Sequence, residues 1–340
     1  MDFLDFSAEE KRNIDIEINK YFHKLIRDED DFFLKDFFTR LKKFITPKEI
    51  GKGPAKRIRP QVLIYAFFGI ASDQKVEAHL EEIRKMSIAI ELLHTTSIIH
   101  DDVVNQDDLR RGLPTFHRIM GEHFNNRNQN QYGLPMQWGS GAAIHGGDIC
   151  AFLGASIIMN SHFDNLLKYA SLKEFNNGFN SIVRGKIIEH YLLTNSLENS
   201  SMEDYLIMAE SKTSQQFITA AMIGAILADA RVSQIRPLKK AMTRLGVAYQ
   251  IKNDINDTFR EKKKNIALKK RNILLITAYK NACNEDKKCI DDIFNKSEDL
   301  TEDEAAKIRE IIKSSGTLDF VKIYAQNEIT QAITEIDKIY

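Results

Sequence analysis

Proline, cysteine and the alternating pattern of strands are all scarce in this chain, and each scarcity narrows what it can be. Six prolines and 16 glycines among 340 residues leave few breaks. Long stretches carry apolar residues at three- and four-residue spacing, the repeat of an amphipathic helix. An all-α chain is therefore expected. No Pro/Gly/Ser-rich linker divides it, so one domain over residues 1–340 is expected, and 43% apolar residues suffice for a substantial core. Cys150, Cys283 and Cys289 lack a paired metal spacing, and three is an awkward number for a disulfide framework. A reducing, cytoplasmic location follows as the simplest expectation.

An excess of one charge is missing too. The 48 Lys and Arg residues are matched by 48 Asp and Glu, so no global field attracts nucleic acid and anion binding has to come from local clusters. The first residues carry Asp2, Asp5, Glu9 and Glu10 without the basic start or apolar core of a leader. No uncharged apolar stretch of the roughly 18 residues needed for a membrane span stands out. Neither a nucleic-acid partner nor a membrane span is expected.

Local signals place several elements. Ser7-Ala8-Glu9-Glu10 and Thr301-Glu302-Asp303-Glu304 fit the capping box, in which the hydroxyl satisfies an orphan amide and the carboxylate reaches back, so helices are expected to begin at both. Pro60 suits the first turn of a helix whose buried face would include Val62, Leu63, Tyr65, Ala66 and Phe67. Another helix is expected from about Glu81 through Asp108, ending by Gly112-Leu113-Pro114. The polar, Asn/Gln/Gly-rich segment 125–141, containing the only tryptophan, Trp138, reads as a loop insertion, and 194–201 reads as another loop.

Against this background one run stands out: Ile98-Ile99-His100-Asp101-Asp102-Val103-Val104-Asn105-Gln106-Asp107-Asp108-Leu109-Arg110-Arg111-Gly112. On a helix, Asp101, Asp102 and Asn105 sit at i, i+1 and i+4 and can gather oxygen atoms around a hard cation. Adjacent aspartates are ordinarily solvated surface, yet within an apolar segment they are expensive to bury without a cation. With an arginine pair following, the run outlines a diphosphate site.

The run resembles the first aspartate-rich motif of the trans-isoprenyl diphosphate synthases, the polyprenyl synthetase family, and further matches follow in family order. Gly53-Pro54-Ala55-Lys56-Arg57-Ile58-Arg59-Pro60 resembles its basic motif, and Glu91 to Ser97 resembles the helix leading into the aspartates. Gly146-Gly147-Asp148, Lys212-Thr213 and Tyr249-Gln250-Ile251-Lys252-Asn253-Asp254-Ile255-Asn256-Asp257 resemble three later motifs, the last being the second aspartate-rich one. The resemblance implies an all-α isoprenoid-synthase fold, a helical bundle around a deep apolar cavity, and a homodimer. It implies a Mg²⁺-dependent prenyltransferase joining isopentenyl diphosphate to an allylic diphosphate. Asp101, Asp102, Asn105, Asp254 and Asp257 would hold the metal, and Arg110, Lys212 and Lys270 the allylic diphosphate. Lys56, Arg59, His94 and Arg111 would bind isopentenyl diphosphate, while Thr213 and Gln250 would orient dipoles toward the reacting carbons. Thr96 and Ser97, one turn before the aspartates, are small enough to leave room for a growing tail, which implies a twenty-carbon product.

The chain also departs from the pattern. Asn105 and Asn253 stand where aspartates are usual, removing two negative charges from the metal site. Asp107 would restore the count if the helix bulged, and Asp108 lies further along the same face of a continuous helix. Lys186, after Gly185, replaces a common glutamine, and Glu261-Lys262-Lys263-Lys264-Asn265 compresses a longer loop. Asn253, Asp254, Asp257 and Glu261 have the spacing of the metal-binding triad of class I terpene cyclases, which gives an alternative reading; Lys56, Arg59, His94 and Arg111 favour elongation over it. A catalytically weak regulatory subunit is a third.

Overall fold

The computed structural model describes residues 3–47, 55–127, 133–259, 270–296 and 300–339. Among these every regular element is a helix, apart from two strands of two residues each. It divides into two compact units, Met1–Asn176 with Thr219–Ala230, and Asn177–Ile218 with Arg231–Tyr340.

The first unit contains α1 (Phe3–Asp28), α2 (Phe32–Ile45), α3 (Ile58–Phe68), α4 (Asp73–Val104), α5 (Phe116–Arg127), α6 (Pro135–Met159) and residues 165–176 of α7 (Asn165–Thr194). Ile14, Ile18 and Phe22, one turn apart on α1, are fully buried. Helix α1 runs through the expected start at Ser7. Ser7 hydrogen-bonds Gln61 at 3.2 Å, and Glu10 leaves the local capping geometry to accept from Arg84 Nε at 3.0 Å. On α3 the buried face is Pro60, Leu63, Ile64 and Phe67, whereas Val62, Tyr65 and Ala66 are half-buried.

Helix α4 starts earlier than expected, with Ser72 accepting from the Lys75 amide as N-cap, and ends earlier, at Val104. Gln106 then takes a left-handed φ of 51°. A short hairpin follows, β1 (Leu109–Arg110) pairing antiparallel with β2 (Leu113–Pro114). Its turn residues Arg111 and Gly112 have φ of 55° and 78°, both positive, as the tightest hairpin turns require. Asn105 is therefore the helix C-cap, and Asp107 and Asp108 lie beyond the helix, so neither continues its face.

Segment 125–141 is less of a loop than its composition suggests, because residues 125–127 end α5 and 135–141 begin α6; 128–132 lie outside the described residues. Gly139 is the reason for the close packing here: a Cβ on it would fall 2.6 Å from the His117 carbonyl oxygen. Helix α6, though it carries Asp148, has the length and apolarity to cross a membrane. Here it packs against α4 and α5. At Gly147 a Cβ would lie 2.3 Å from His100 Nε2, and the Gly147 carbonyl accepts from Thr96 Oγ1 at 2.8 Å.

The second unit contains residues 177–194 of α7, α8 (Met202–Ala209), a π-helical turn (Glu210–Ser214), residues 215–218 of α9 (Gln215–Leu227), α10 (Val232–Phe259), α11 (Ile273–Asn281), α12 (Asn284–Phe294), α13 (Glu302–Ser314) and α14 (Thr317–Ile336). Its core gathers Tyr205, Ile251, Ile273, Ile276, Ile308 and Val321. The capping box at Thr301 forms as expected, with Glu304 returning to the Thr301 amide, and residues 195–201 form the expected connection.

Candidate functional site

The first unit brings the leading candidates together at the end of α4. Asp102 is fully buried, and the Arg110 guanidinium, carried in by the hairpin, donates to both its oxygens: Nε at 2.8 and 3.0 Å and a terminal nitrogen at 2.5 Å. Loss of hydration pushes the Asp102 carboxyl above its ordinary pKa, against the pull of Arg110. Asp101 is half-buried, and Asn105 donates its backbone N–H to the Asp101 carbonyl at 2.9 Å. Asp108 is exposed and lies 3.4 Å from Arg118.

Beside this pair is a cavity of about 160 Å³, with Lys43, Arg57, Glu91, Thr95, Arg110 and Arg111 in its wall. Arg57, the N-cap of α3 in a left-handed conformation, is almost wholly buried. It donates Nε to Asp15 at 2.8 Å, a terminal nitrogen to the Ile45 carbonyl at 2.9 Å, and the other to Glu91. This guanidinium ties α1, α2 and α4 to the start of α3, which its ordinary look in a basic tripeptide does not signal. Arg59, also buried, meets His94 Nε2 at 3.2 Å. Lys56 and Arg111 are exposed. Gly53 and Pro54 of the same basic motif lie outside the described residues.

The second unit builds two linked networks on the π-turn. Two glycines let the backbones converge there: a Cβ on Gly185 of α7 would lie 2.5 Å from the Lys212 amide nitrogen, and one on Gly246 of α10 would lie 2.2 Å from Ser214 Cα. Widened turns of this kind re-aim side chains and recur at functional sites. Lys212 Nζ meets Glu189 Oε1 at 2.7 Å, and Lys186 Nζ meets Glu189 Oε2 at 2.6 Å. Burial opposes ionisation of Glu189, yet Lys212, Lys186 and the more distant Lys270 hold its carboxyl far below the usual range. The second network runs from Thr213 Oγ1 to Gln250 Oε1 at 2.5 Å, from Gln250 Nε2 to Asp254 Oδ1 at 2.9 Å, and from Tyr205 Oη to Asp254 Oδ2 at 2.6 Å.

Asp254 thus has two neutral donors. Loss of hydration pushes its pKa up to about 6, although the Tyr205 hydroxyl, Lys212 and the Gln250 amide pull the other way. Asp257, three residues on, and Asn253 are half-buried, as is Lys270 just before α11. Glu261 and the compressed lysine-rich segment lie outside the described residues. Glu189 and Tyr205 escaped the sequence reading: a glutamate on a long helix looks like solvated surface, and a tyrosine in a short one looks like core. The nearest clue is Gly185-Lys186, whose glycine marks a close approach.

Sequence and fold comparisons agree with this architecture. The model of the polyprenyl synthetase family matches residues 47–312. The chain belongs to that family and is a prenyltransferase of the all-α isoprenoid-synthase fold. A short chain isoprenyl diphosphate synthase of Methanocaldococcus jannaschii is 29% identical over 272 residues, covering 76% of this chain and 73% of the relative. A geranylgeranyl diphosphate synthase of Sulfolobus acidocaldarius is 29% identical over 296 residues, covering 84% and 80%. The crystal structure of geranylgeranyl pyrophosphate synthase from Corynebacterium glutamicum, complexed with isoprenyl diphosphate and magnesium, superposes with a TM-score of 0.84. It is 22% identical and covers 100% of this chain and 94% of that one.

Proposed function

We propose that the protein condenses isopentenyl diphosphate with an allylic diphosphate to give a longer trans-prenyl diphosphate, twenty carbons long. The observation that carries this reading is that cationic side chains gather in each unit: Arg110 and Arg111 at a cavity in the first, Lys212 and Lys270 acting on Glu189 in the second. Two diphosphate substrates need two such sites, whereas a cyclase needs one. In the first unit, Arg59, His94 and Arg111 with exposed Lys56 receive isopentenyl diphosphate; guanidinium forks suit phosphate oxygens. In the second unit, Lys212 and Lys270 receive the allylic diphosphate.

The donors suit magnesium. Asp101, Asp102, Asn105, Asp254 and Asp257 offer oxygen alone, and no group of three or more His, Cys, Asp or Glu side chains is gathered among the described residues. Magnesium is the ion such oxygen donors would suit, since it shares its ligands with substrate phosphates. When bound, it supplies the electrostatic pull on the departing diphosphate. In the first unit Asp101, Asp102 and Asn105 would hold such an ion, with the Arg110 guanidinium beside Asp102, and in the second unit Asp254 and Asp257 would hold one. Thr213 and Gln250 hold oxygen dipoles in a fixed array beside Asp254. The allylic carbon–oxygen bond then breaks, the isopentenyl double bond attacks the cation, and a proton leaves.

Twenty carbons rests on Ser97, small and half-buried, and on the name of the Sulfolobus relative. Thr96, the other small residue of that turn, is buried, and its hydroxyl donates to the Gly147 carbonyl at 2.8 Å. Exposed Phe152 and Met159 on α6 and Leu166 and Tyr169 on α7 support a homodimer, to be checked by light scattering. A cytoplasmic location accords with three unpaired cysteines.

The test incubates the protein and Mg²⁺ with isopentenyl diphosphate plus dimethylallyl, geranyl or farnesyl diphosphate, with products identified by mass spectrometry. Elongated diphosphates ending at twenty carbons are expected. Hydrocarbons or alcohols formed without isopentenyl diphosphate would replace this reading with the cyclase. No turnover alone would replace it with the regulatory subunit.

A further inference from the structure

We propose that Lys186 is a second diphosphate-binding ammonium in the second unit, aimed as a pair with Lys212 by the single carboxylate of Glu189. The inference rests on the prenyl diphosphate reading above and adds a residue to it. Lys186 and Glu189 are three residues apart on α7, one turn of the same face. Gly185 lets α7 approach the π-turn so closely that the Lys212 side chain reaches the opposite oxygen of that carboxylate. Each ammonium takes one oxygen, and the three charged side chains keep 18%, 14% and 15% of their surface exposed for Lys186, Glu189 and Lys212 respectively.

Charge counting gives the reason. Lys186 puts a positive charge where the family's usual glutamine is neutral, so the Glu189 carboxylate faces two ammonium groups, and Lys270 adds to the field acting on it. Two ammonium groups held on the two oxygens of one carboxylate in a partly dehydrated site repel each other, and an anion that bridges them lowers that repulsion. The second aspartate-rich motif, Asp254 and Asp257 with neutral Asn253, supplies one negative charge fewer than three aspartates would. A diphosphate, with several charged oxygens a few ångströms apart, suits two ammonium groups held side by side. The allylic diphosphate is therefore gripped partly by protein cations, and some of that grip persists without metal.

Calorimetry of the full chain with inorganic pyrophosphate, in EDTA and separately with Mg²⁺, tests this. Wild type is expected to bind pyrophosphate in EDTA. Lys186→Gln is expected to weaken that metal-free binding about tenfold, the scale of one lost charge-assisted hydrogen bond, and Lys186→Arg to retain most of it. In elongation assays Lys186→Gln should raise the KM for the allylic diphosphate with little effect on that for isopentenyl diphosphate. Thermal melting of each variant separates binding from folding. Wild-type affinity in Lys186→Gln, or a fall in melting temperature with affinity unchanged, would reduce Lys186 to a structural ion pair and overturn the proposal. So would an absence of metal-free pyrophosphate binding by wild type. In either case the elongation assay on wild type reports independently whether the prenyltransferase reading stands.

Discussion

The two aspartate-rich motifs hold their central carboxylates in opposite ways. Asp102 is compensated by a full positive charge, the two-pronged guanidinium of Arg110, whereas among the described residues the hydrogen bonds to Asp254 come from neutral donors, the Tyr205 hydroxyl and the Gln250 amide, with Lys212 adding its field. A buried carboxylate with a cation beside it is stable as it stands. One whose hydrogen bonds come from neutral donors retains more of its desolvation cost and has more to gain from a divalent ion. On the proposed function, Asp102 would then have the larger share in holding the first unit together and Asp254 the larger share in the chemistry.

The sharpest way to break that distinction is to replace each side chain and read activity and stability separately. Asp254→Asn keeps the shape and a hydrogen-bonding oxygen but removes the charge that would pull on a cation. Elongation should fall about 10³-fold, equivalent to several kcal/mol of lost electrostatic stabilisation, while denaturant unfolding moves by less than about 1 kcal/mol. Arg110→Ala should do the reverse in emphasis. It leaves Asp102, whose side chain is 1% exposed, buried without its cation, and unfolding should cost about 3 kcal/mol less than in wild type. Equal destabilisation by both variants, measured in urea, would erase the distinction.

How much of this was legible in the sequence follows from how local each cause is. The capping box at Thr301 could be read because hydroxyl and carboxylate lie three residues apart and nothing distant intervenes. The matching pattern at Ser7 misleads, since Glu10 finds Arg84 across the fold and the helix runs through. The aspartates, arginines and lysines of the candidate site stand out as motifs, but the pairing of Asp102 with Arg110 depends on α4 stopping at Val104 and on a left-handed turn at Arg111-Gly112. Likewise the π-turn that aims Lys212 is set by close approaches at Gly185 and Gly246, on helices remote in sequence. Composition misjudged 125–141 for the same reason: Gly139 is a packing residue rather than a loop residue.

A smaller effect concerns protons. The folded-state pKa of Asp254, about 6, lies above the ordinary carboxylate value of about 4. Between these values the folded chain holds a proton that the unfolded chain has lost, so this group favours folding at low pH. That contribution disappears as pH rises through 6. A carboxylate that must bind a cation is competent only when ionised, so activity should rise over the same interval. Tyr205→Phe removes a donor that favours the charged form, and metal-free carbon NMR of the Asp254 carboxyl should place its midpoint about one pH unit higher. A midpoint that stayed put or fell would mean that the tyrosine hydroxyl does not stabilise this carboxylate.

The smallest expected effect probes the neutral residue beside Asp254. Asn253→Asp restores a carboxylate next to one that is already poorly compensated, and its two consequences have opposite signs. Without metal, the like charges repel, and the Asp254 midpoint should move further up. With metal, the added charge strengthens the hold on a divalent cation, and the Mg²⁺ concentration for half-maximal elongation should fall severalfold. Both shifts occurring together would identify the second motif as the place where this chain has given up cation affinity. A changed midpoint with unchanged Mg²⁺ dependence would instead mean that residue 253 faces Asp254 without facing the ion, leaving Asp254 and Asp257 as the ligands in that unit. Because Lys186 and Lys212 lie on the same unit, the severalfold gain should persist in Lys186→Gln if metal and lysines act on different oxygens of the diphosphate, and should grow if they share them.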